Sequence, residues 1–175
     1  MEKIYKIAIT GAESSGKTTL AKQLAAHYQT CYVQEYAREY LENIGKNYQE
    51  KDVWEIAKIQ LKREKEIENQ ANRFLILDTD ITVLKIWLEV KFGRLPNWFA
   101  NTYLTHQYDF YLLCKPDLAW EYDELREHPY MRDLLHSLYK SELKKKQVPF
   151  AIISGSGESR FEIAKESIDR HFFGK

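Results

Sequence analysis

The sequence predicts an α/β protein with three layers, a five-stranded parallel sheet between helices. Five short apolar runs alternate with segments of helical periodicity, an order that calls for parallel strands with helical crossovers. The first run feeds directly into a glycine-rich loop at Gly11–Thr18. Acidic residues follow the second and third runs, where the carboxyl ends of parallel strands gather ligands.

The first strand is expected at 4–10, ending at Gly11. Residues 17–28 place Leu20, Ala21, Leu24 and Ala25 at helical spacing. A second strand is expected at 31–34 and a short helix at 38–44, stopped by Gly45. Asp52 is read as the cap of a long helix running to about Asn69, whose many Lys and Glu residues form a solvated face. The third strand is 74–77, closed by Asp78, with Thr79 or Asp80 capping a helix that reaches about Phe92. Residues 93–97 break the pattern, and 98–106 form a further helix. The fourth strand, 110–114, ends before Pro116. The polar stretch 116–130 is expected to be a lid, and 131–146 a helix. The fifth strand, 150–154, leads through a Gly-Ser turn to a closing helix at 161–172. The whole chain, 1–175, reads as one domain.

Lys plus Arg and Asp plus Glu both number 26, so no global field draws the chain to nucleic acid or an anionic membrane. No apolar run approaches the roughly 18 residues that span a bilayer, and the N-terminus lacks signal-peptide character. A cytoplasmic protein is expected, with a small-molecule substrate and neither nucleic acid nor membrane as partner. The two cysteines, Cys31 and Cys114, form no CxxC pair and are read as buried thiols. The five histidines show no metal-ligand spacing.

Chemistry concentrates first at Gly11-Ala-Glu13-Ser14-Ser15-Gly16-Lys17-Thr18, which matches G-x-x-x-x-G-K-[ST]. Its glycines let backbone N–H groups wrap phosphate, and the helix beginning there adds a positive dipole. Lys17 is expected to reach the β- and γ-phosphates, Thr18 to hold Mg²⁺, and Thr19 to complete the nucleotide contacts. ATP and Mg²⁺ are the cofactors implied. Glu35 follows the second strand, and Asp78 and Asp80 flank the end of the third. Asp78 stands where a carboxylate supports the Mg²⁺ shell. A kinase also needs a carboxylate beside the acceptor hydroxyl. Either Glu35 or Asp80 suits that role; Asp80 is the first choice, with Glu35 holding substrate or the metal shell. Tyr36 and Arg38 join them as substrate-side candidates.

In the lid, Arg126 is the first and Arg132 the second candidate for neutralising charge on the transferring phosphoryl group. Asp123 lies between Trp120 and Arg126 as a further acidic candidate. Gly155 and Ser156, after the last strand, are placed to contact adenine through the backbone. Trp87 and Trp120 are the aromatic candidates for a substrate face.

GAESSGKTTL at 11–20, QEYAREY at 34–40, LDTD at 77–80, YDFYLLCKPDLAWEYDELRE at 108–127 and ISGSGESR at 153–160 together resemble one family. It is the ribosylnicotinamide kinase domain of the bacterial NadR family, the C-terminal part of a NAD-biosynthesis regulator. The resemblance implies a three-layer P-loop NTPase fold, nucleoside/nucleotide-kinase-like, with a lid. It implies ATP-dependent phosphorylation of nicotinamide riboside at its ribose 5′-hydroxyl, in NAD salvage. Two alternatives stand beside it: a kinase for another nucleoside or nucleotide, and an ATP-binding regulatory module without small-molecule turnover. The chain opens on its first strand and lacks an HxGH sequence, so adenylyltransferase and repressor activities are not expected. A riboside fits the residues better than a nucleotide, because Asp78-Thr79-Asp80 offers no arginine for a substrate phosphate. The positive nicotinamide ring calls for acids and a stacking indole, at Trp87 or Trp120.

Overall fold

The chain alternates strands and helices in the order that its apolar runs imply. A computed structural model describes residues 3–45 and 47–174. Its elements are β1 (Tyr5–Thr10), α1 (Lys17–His27), β2 (Tyr32–Val33), α2 (Tyr36–Ile44), α3 (Glu50–Glu68) and β3 (Phe74–Asp78). There follow α4 (Ile81–Phe92), α5 (Asn97–Thr105), β4 (Phe110–Cys114), α6 (Arg132–Lys145), β5 (Phe150–Ile153) and α7 (Gly157–Phe173).

The strands form one five-stranded parallel sheet in the order β2-β3-β1-β4-β5. β1 lies at its centre because alternate side chains find a covered face on each side. Ile7 and Ile9 pack with Leu20, Leu24 and Ile168 of α1 and α7. Ala8 faces the opposite layer with Ile56, Leu84 and Leu143 from α3, α4 and α6. β3 and β4 are buried along their whole length, which explains their unbroken apolar runs. Each fully buried Leu or Ile contributes about 1.5–3 kcal/mol.

Several boundaries differ from the sequence reading. β2 spans two residues, so Cys31 falls before it and is only half-buried, while Cys114 is fully buried. Burial raises the Cys114 thiol to about 11. α2 begins at Tyr36, directly after Glu35, rather than at Arg38. Asp52 is not the cap of α3. Gln49 is, and Asp52 sits at the third helical position, reaching back to the Gln49 N–H at 2.7 Å in a capping box. α7 starts at Gly157, four residues earlier than its apolar periodicity suggests. Extended Ser156 precedes it, and Glu158 in its first turn suits the positive end of the helix.

Candidate active site

The five strands point their carboxyl ends toward one edge, and the loops there build the site. After Thr10 the chain turns at Gly11 with φ +141°, and a Cβ at Gly11 would lie 2.8 Å from the Cys114 carbonyl oxygen of neighbouring β4. Gly16, with φ +77°, stands at the start of α1, and a Cβ there would meet Leu118 at 2.9 Å. Both positions therefore exclude side chains. α1 has no side-chain cap and no acid in its first turn. Its leading N–H groups and dipole are left for an anion. Lys17 Nζ folds across the loop and donates to the carbonyls of Gly11 and Ala12 at 3.0 and 2.9 Å.

Arg160 braces this loop from behind. Its buried guanidinium donates to the carbonyls of Ser15 (2.8 Å), Lys115 (2.7 Å) and Gly155 (2.9 Å), and pairs with Asp117 at 3.0 Å. One planar cation thus ties the phosphate loop to the ends of β4 and β5.

Asp78 closes β3. Both its carboxylate oxygens are buried and lack a hydrogen-bond partner. Burial, then the nearby charge of Glu35, raises its pKa to about 6, while the Thr18 hydroxyl and the cations Lys17 and Lys22 pull it back. An unpartnered buried carboxylate beside a threonine hydroxyl and phosphate-binding N–H groups has the donor set of a Mg²⁺ shared with phosphate. The residues present therefore fit Mg²⁺. Among the described residues, no cluster of three or more His, Cys, Asp or Glu side chains offers an all-protein metal site.

Between Asp78 and Asp80, Thr79 has φ +81°. This conformation is costly for a β-branched residue. Asp80 caps α4: its carboxylate accepts from the N–H groups of Thr82 (3.1 Å) and Val83 (3.4 Å). It has no exposed surface. Burial raises its pKa, and the hydrogen bonds from Thr82, Thr10 and Val83 moderate the rise. Asp80 is not among the residues lining the cleft, whereas Glu35 is. The geometry thus departs from the expectation that Asp80 meets the substrate.

The cleft has a volume of about 320 Å³. One half is the phosphate loop, from Gly11 and Glu13 through Thr19. The other is walled by α2, Tyr48, α4 and α6, with Leu41, Tyr48, Val83, Trp87, Leu135 and Tyr139 facing it. Glu35, just before α2, and Arg38 on it also line the cleft. Arg38 pairs with Asp123 at 2.8 Å. Asp123 is thereby occupied, and its pKa is lowered by the Leu125 N–H and by Arg38 against a smaller opposing effect of burial.

The segment between β4 and α6 folds over the phosphate loop. Ser14 Oγ accepts from the Glu121 N–H at 3.1 Å and from Arg126 Nη1 at 3.5 Å. Arg132 Nη1 donates to the carbonyls of Ser14 and Leu118 at 3.2 and 3.0 Å. Arg126 lines the cleft, while Arg132 holds its roof.

Other candidates fall elsewhere. Trp120 is outside the cleft lining; its ring lies under the guanidinium groups of both Arg126 and Arg132, at 5.9 and 5.7 Å. Tyr36 also lies outside, its ring covered by Arg63 at 4.3 Å. Gly155 serves Asp117 through its N–H at 2.8 Å, and neither it nor Ser156 lines the cleft. Sequence reasoning missed Tyr48, Glu127 and Arg160. Tyr48 sits in a loop without periodicity, and nothing local marks its partner Glu127, 79 residues away. Only the mixed Gly-Ser-Arg ending of ISGSGESR hinted at Arg160.

Fold and site together define a P-loop protein of the nucleoside/nucleotide-kinase type, with a five-stranded parallel sheet and a phosphate loop opening into a second, acceptor-sized space. The chain belongs to the AAA-domain family AAA_28, whose model matches residues 6–160. Among characterised proteins it is similar to the trifunctional NAD biosynthesis/regulator protein NadR of Salmonella typhimurium. The two are 28% identical over 127 residues, covering 70% of this chain and 31% of that protein. Among solved structures it matches NadR in complex with NR at TM-score 0.82 and 23% identity, over 95% of this chain and 49% of that one. NadR in complex with NAD and AMP-PNP matches at TM-score 0.81, with 22% identity and the same coverage. Deoxyadenosine kinase from M. mycoides matches at 0.62 and 17% identity, over 94% and 98%. The chain therefore spans about a third of the curated relative and half of the solved NadR chain. The fold likeness to the solved NadR chains covers 95% of this chain. No helix among the described residues is long and apolar enough to cross a membrane.

Proposed function

We propose that this chain transfers the γ-phosphoryl group of ATP to a ribose hydroxyl of nicotinamide riboside, forming nicotinamide mononucleotide. One observation carries the reading: the phosphate loop, the Glu35 carboxylate and the Tyr48–Trp87 wall open into a single cleft. Triphosphate, hydroxyl and a flat ring can thus be held in line, and holding them so is most of what phosphoryl transfer requires.

Each half has its chemistry. Lys17 and the α1 N-terminus neutralise the phosphates, and Arg126 meets the charge that develops on the transferring group. Thr18 and Asp78 would hold Mg²⁺, which supplies charge stabilisation at the β- and γ-oxygens. Glu35, rather than Asp80, orients the acceptor hydroxyl and receives its proton, because it is the one of the two that faces the cleft. Of the cations near the acceptor side, Arg38 is already paired with Asp123 and Lys91 with Glu127. That favours an acceptor without a phosphate of its own. Glu35 supplies a carboxylate to the cleft beside the aromatic wall, which suits a positively charged ring stacked on Trp87.

The NadR matches support nicotinamide riboside as the acceptor, and the likeness to deoxyadenosine kinase keeps other nucleosides in the comparison. The test is acceptor-dependent ADP release from Mg-ATP with nicotinamide riboside, adenosine, cytidine, thymidine and thymidine monophosphate. Stimulation by nicotinamide riboside above the others is expected. Preference for another nucleoside keeps the mechanism and replaces the substrate. Tight ATP binding with no stimulation by any acceptor overturns the kinase reading in favour of a regulatory ATP-binding module.

A further inference from the structure

One residue of the segment after β4 touches both halves of the cleft. The Glu127 N–H donates to the Glu13 carboxylate at 3.1 and 3.3 Å, and the following His128 N–H donates to the same carboxylate at 3.1 Å. The Glu127 side chain turns the other way. It accepts from the Tyr48 hydroxyl at 2.7 Å and from Lys91 Nζ at 2.9 and 3.1 Å. The Tyr48 hydroxyl in turn accepts from Trp87 Nε1 at 2.7 Å, and the two rings meet edge to face at 5.1 Å. An unbroken chain therefore runs from Trp87 on the acceptor wall, through Tyr48 and Glu127, to Glu13 in the phosphate loop.

The charges suit this arrangement. Burial favours the neutral Glu127 acid, yet Lys91 and the Tyr48 hydroxyl hold its pKa below the ordinary value, so it accepts as a carboxylate. Lys91 also lies 3.6 Å from the centre of the Tyr48 ring, and so clamps both partners. An exposed Lys–Glu pair alone contributes little. The added hydroxyl and the two backbone N–H bonds make this a fixed point rather than a loose surface pair.

Arg126 is the residue immediately before that fixed point. A cation that stabilises phosphoryl transfer must be held to within about 0.5 Å of its working position. Anchoring Glu127 restricts where the adjacent Arg126 backbone can lie, and the Arg126 guanidinium completes its placement by donating to the Glu121 carbonyl and the Ser14 hydroxyl.

We propose that Glu127 is a positioning residue: through Tyr48 and Trp87 it senses the acceptor wall, and through Glu13 it sets Arg126 over the phosphate loop. The kinetic part of this inference rests on the kinase reading above; the structural part does not.

The test uses the full chain with Glu127→Ala, Glu127→Gln, Tyr48→Phe and the double variant Y48F/E127A. Hydrogen exchange is followed across residues 120–130 and, as a reference, across the β1 and β3 peptides. Turnover is measured with Mg-ATP and nicotinamide riboside. E127A and Y48F should each accelerate exchange in 120–130 several-fold and leave β1 and β3 protected. Each should lower kcat about tenfold or more, as expected for a displaced catalytic group, with the KM for ATP within twofold of the parent. The double variant should be no slower than the slower single variant, and E127Q should recover part of the loss. Unchanged exchange in both single variants, multiplying kcat losses, or a change confined to KM would overturn the inference. If no nucleoside supports turnover, exchange decides alone: selective loss of protection upholds the chain of contacts, and unchanged protection removes it.

Discussion

Glu35 and Asp80 leave neighbouring strand ends of one sheet yet face different surroundings, Glu35 lining the cleft and Asp80 fully buried with its carboxylate bonded to the first N–H groups of α4. On the proposed reaction, Glu35 rather than Asp80 meets the acceptor. Glu35→Gln should lower kcat about 100-fold or more, the size of a lost general base, without changing thermal stability. Asp80→Asn should stay within about threefold of the parent kcat, because Asn caps a helix nearly as well as Asp. Steady-state kinetics on the two variants decide between them. An inactive, folded Asp80→Asn protein with an active Glu35→Gln protein would reverse the assignment.

Asp78 links the pH dependence of stability to the proposed metal site. Its folded pKa of about 6 lies above the ordinary carboxylate value of 3.8. The folded state therefore holds this proton more tightly than the unfolded chain does. Ionising Asp78 costs stability that is lost as pH rises from about 4 to about 6, a penalty of about 3 kcal/mol that persists at neutral pH. Asp78→Asn should raise the Tm of the nucleotide-free protein at pH 7.5 by several degrees and leave it nearly unchanged at pH 3.5. Adding Mg²⁺ with ADP should raise the Tm of the parent more than that of the variant. Calorimetry at the two pH values checks the sign directly.

In the proposed reaction, Arg126 and Lys17 act at different places on the same phosphates. Arg126→Ala should lower kcat about 100-fold while nucleotide affinity changes little, since the group acts on charge that develops during transfer. Lys17→Ala should lower both. Isothermal titration with ADP alongside turnover separates the two patterns.

Arg160 touches no predicted substrate but bonds to carbonyls from the phosphate loop and from the ends of β4 and β5. Arg160→Ala leaves the buried Ser15 carbonyl without its donor, while Asp117, a quarter exposed, turns to water. The expected loss is about 1–3 kcal/mol, the range for a buried acceptor left unpaired. Arg160→Lys should unfold less readily than Arg160→Ala yet show a raised KM for ATP, because one ammonium cannot reproduce the planar fork. Urea unfolding and ATP titration of the two variants measure these effects.

Much of this molecule was legible in the chain itself. The alternation of apolar runs with helical periodicity specified the parallel sheet, because strands buried on both faces must be apolar throughout. The phosphate loop was readable because its chemistry is local: consecutive N–H groups, two glycines without room for a side chain, and a lysine and a threonine at set offsets. A cap for α4 at Thr79 or Asp80 was legible for the same reason, since a cap bonds N–H groups two and three residues ahead, and the structure places it at Asp80. Helix starts were less so; Gln49 displaced Asp52 because both ends of a capping box can carry the polar side chain.

What tertiary structure alone decided was which of several equivalent side chains meets the cleft. Glu35 and Asp80, or Trp87 and Trp120, look alike as letters; in the fold Asp80 is buried as the cap of α4, and the Trp120 ring is covered by two arginines. The sequence determined the sheet, the phosphate loop and the inventory of charges, since these depend on neighbours a few residues apart. Tertiary packing determined the partners of Glu127, Tyr48 and Arg160, because their contacts bridge up to 145 residues and no local pattern encodes such a distance.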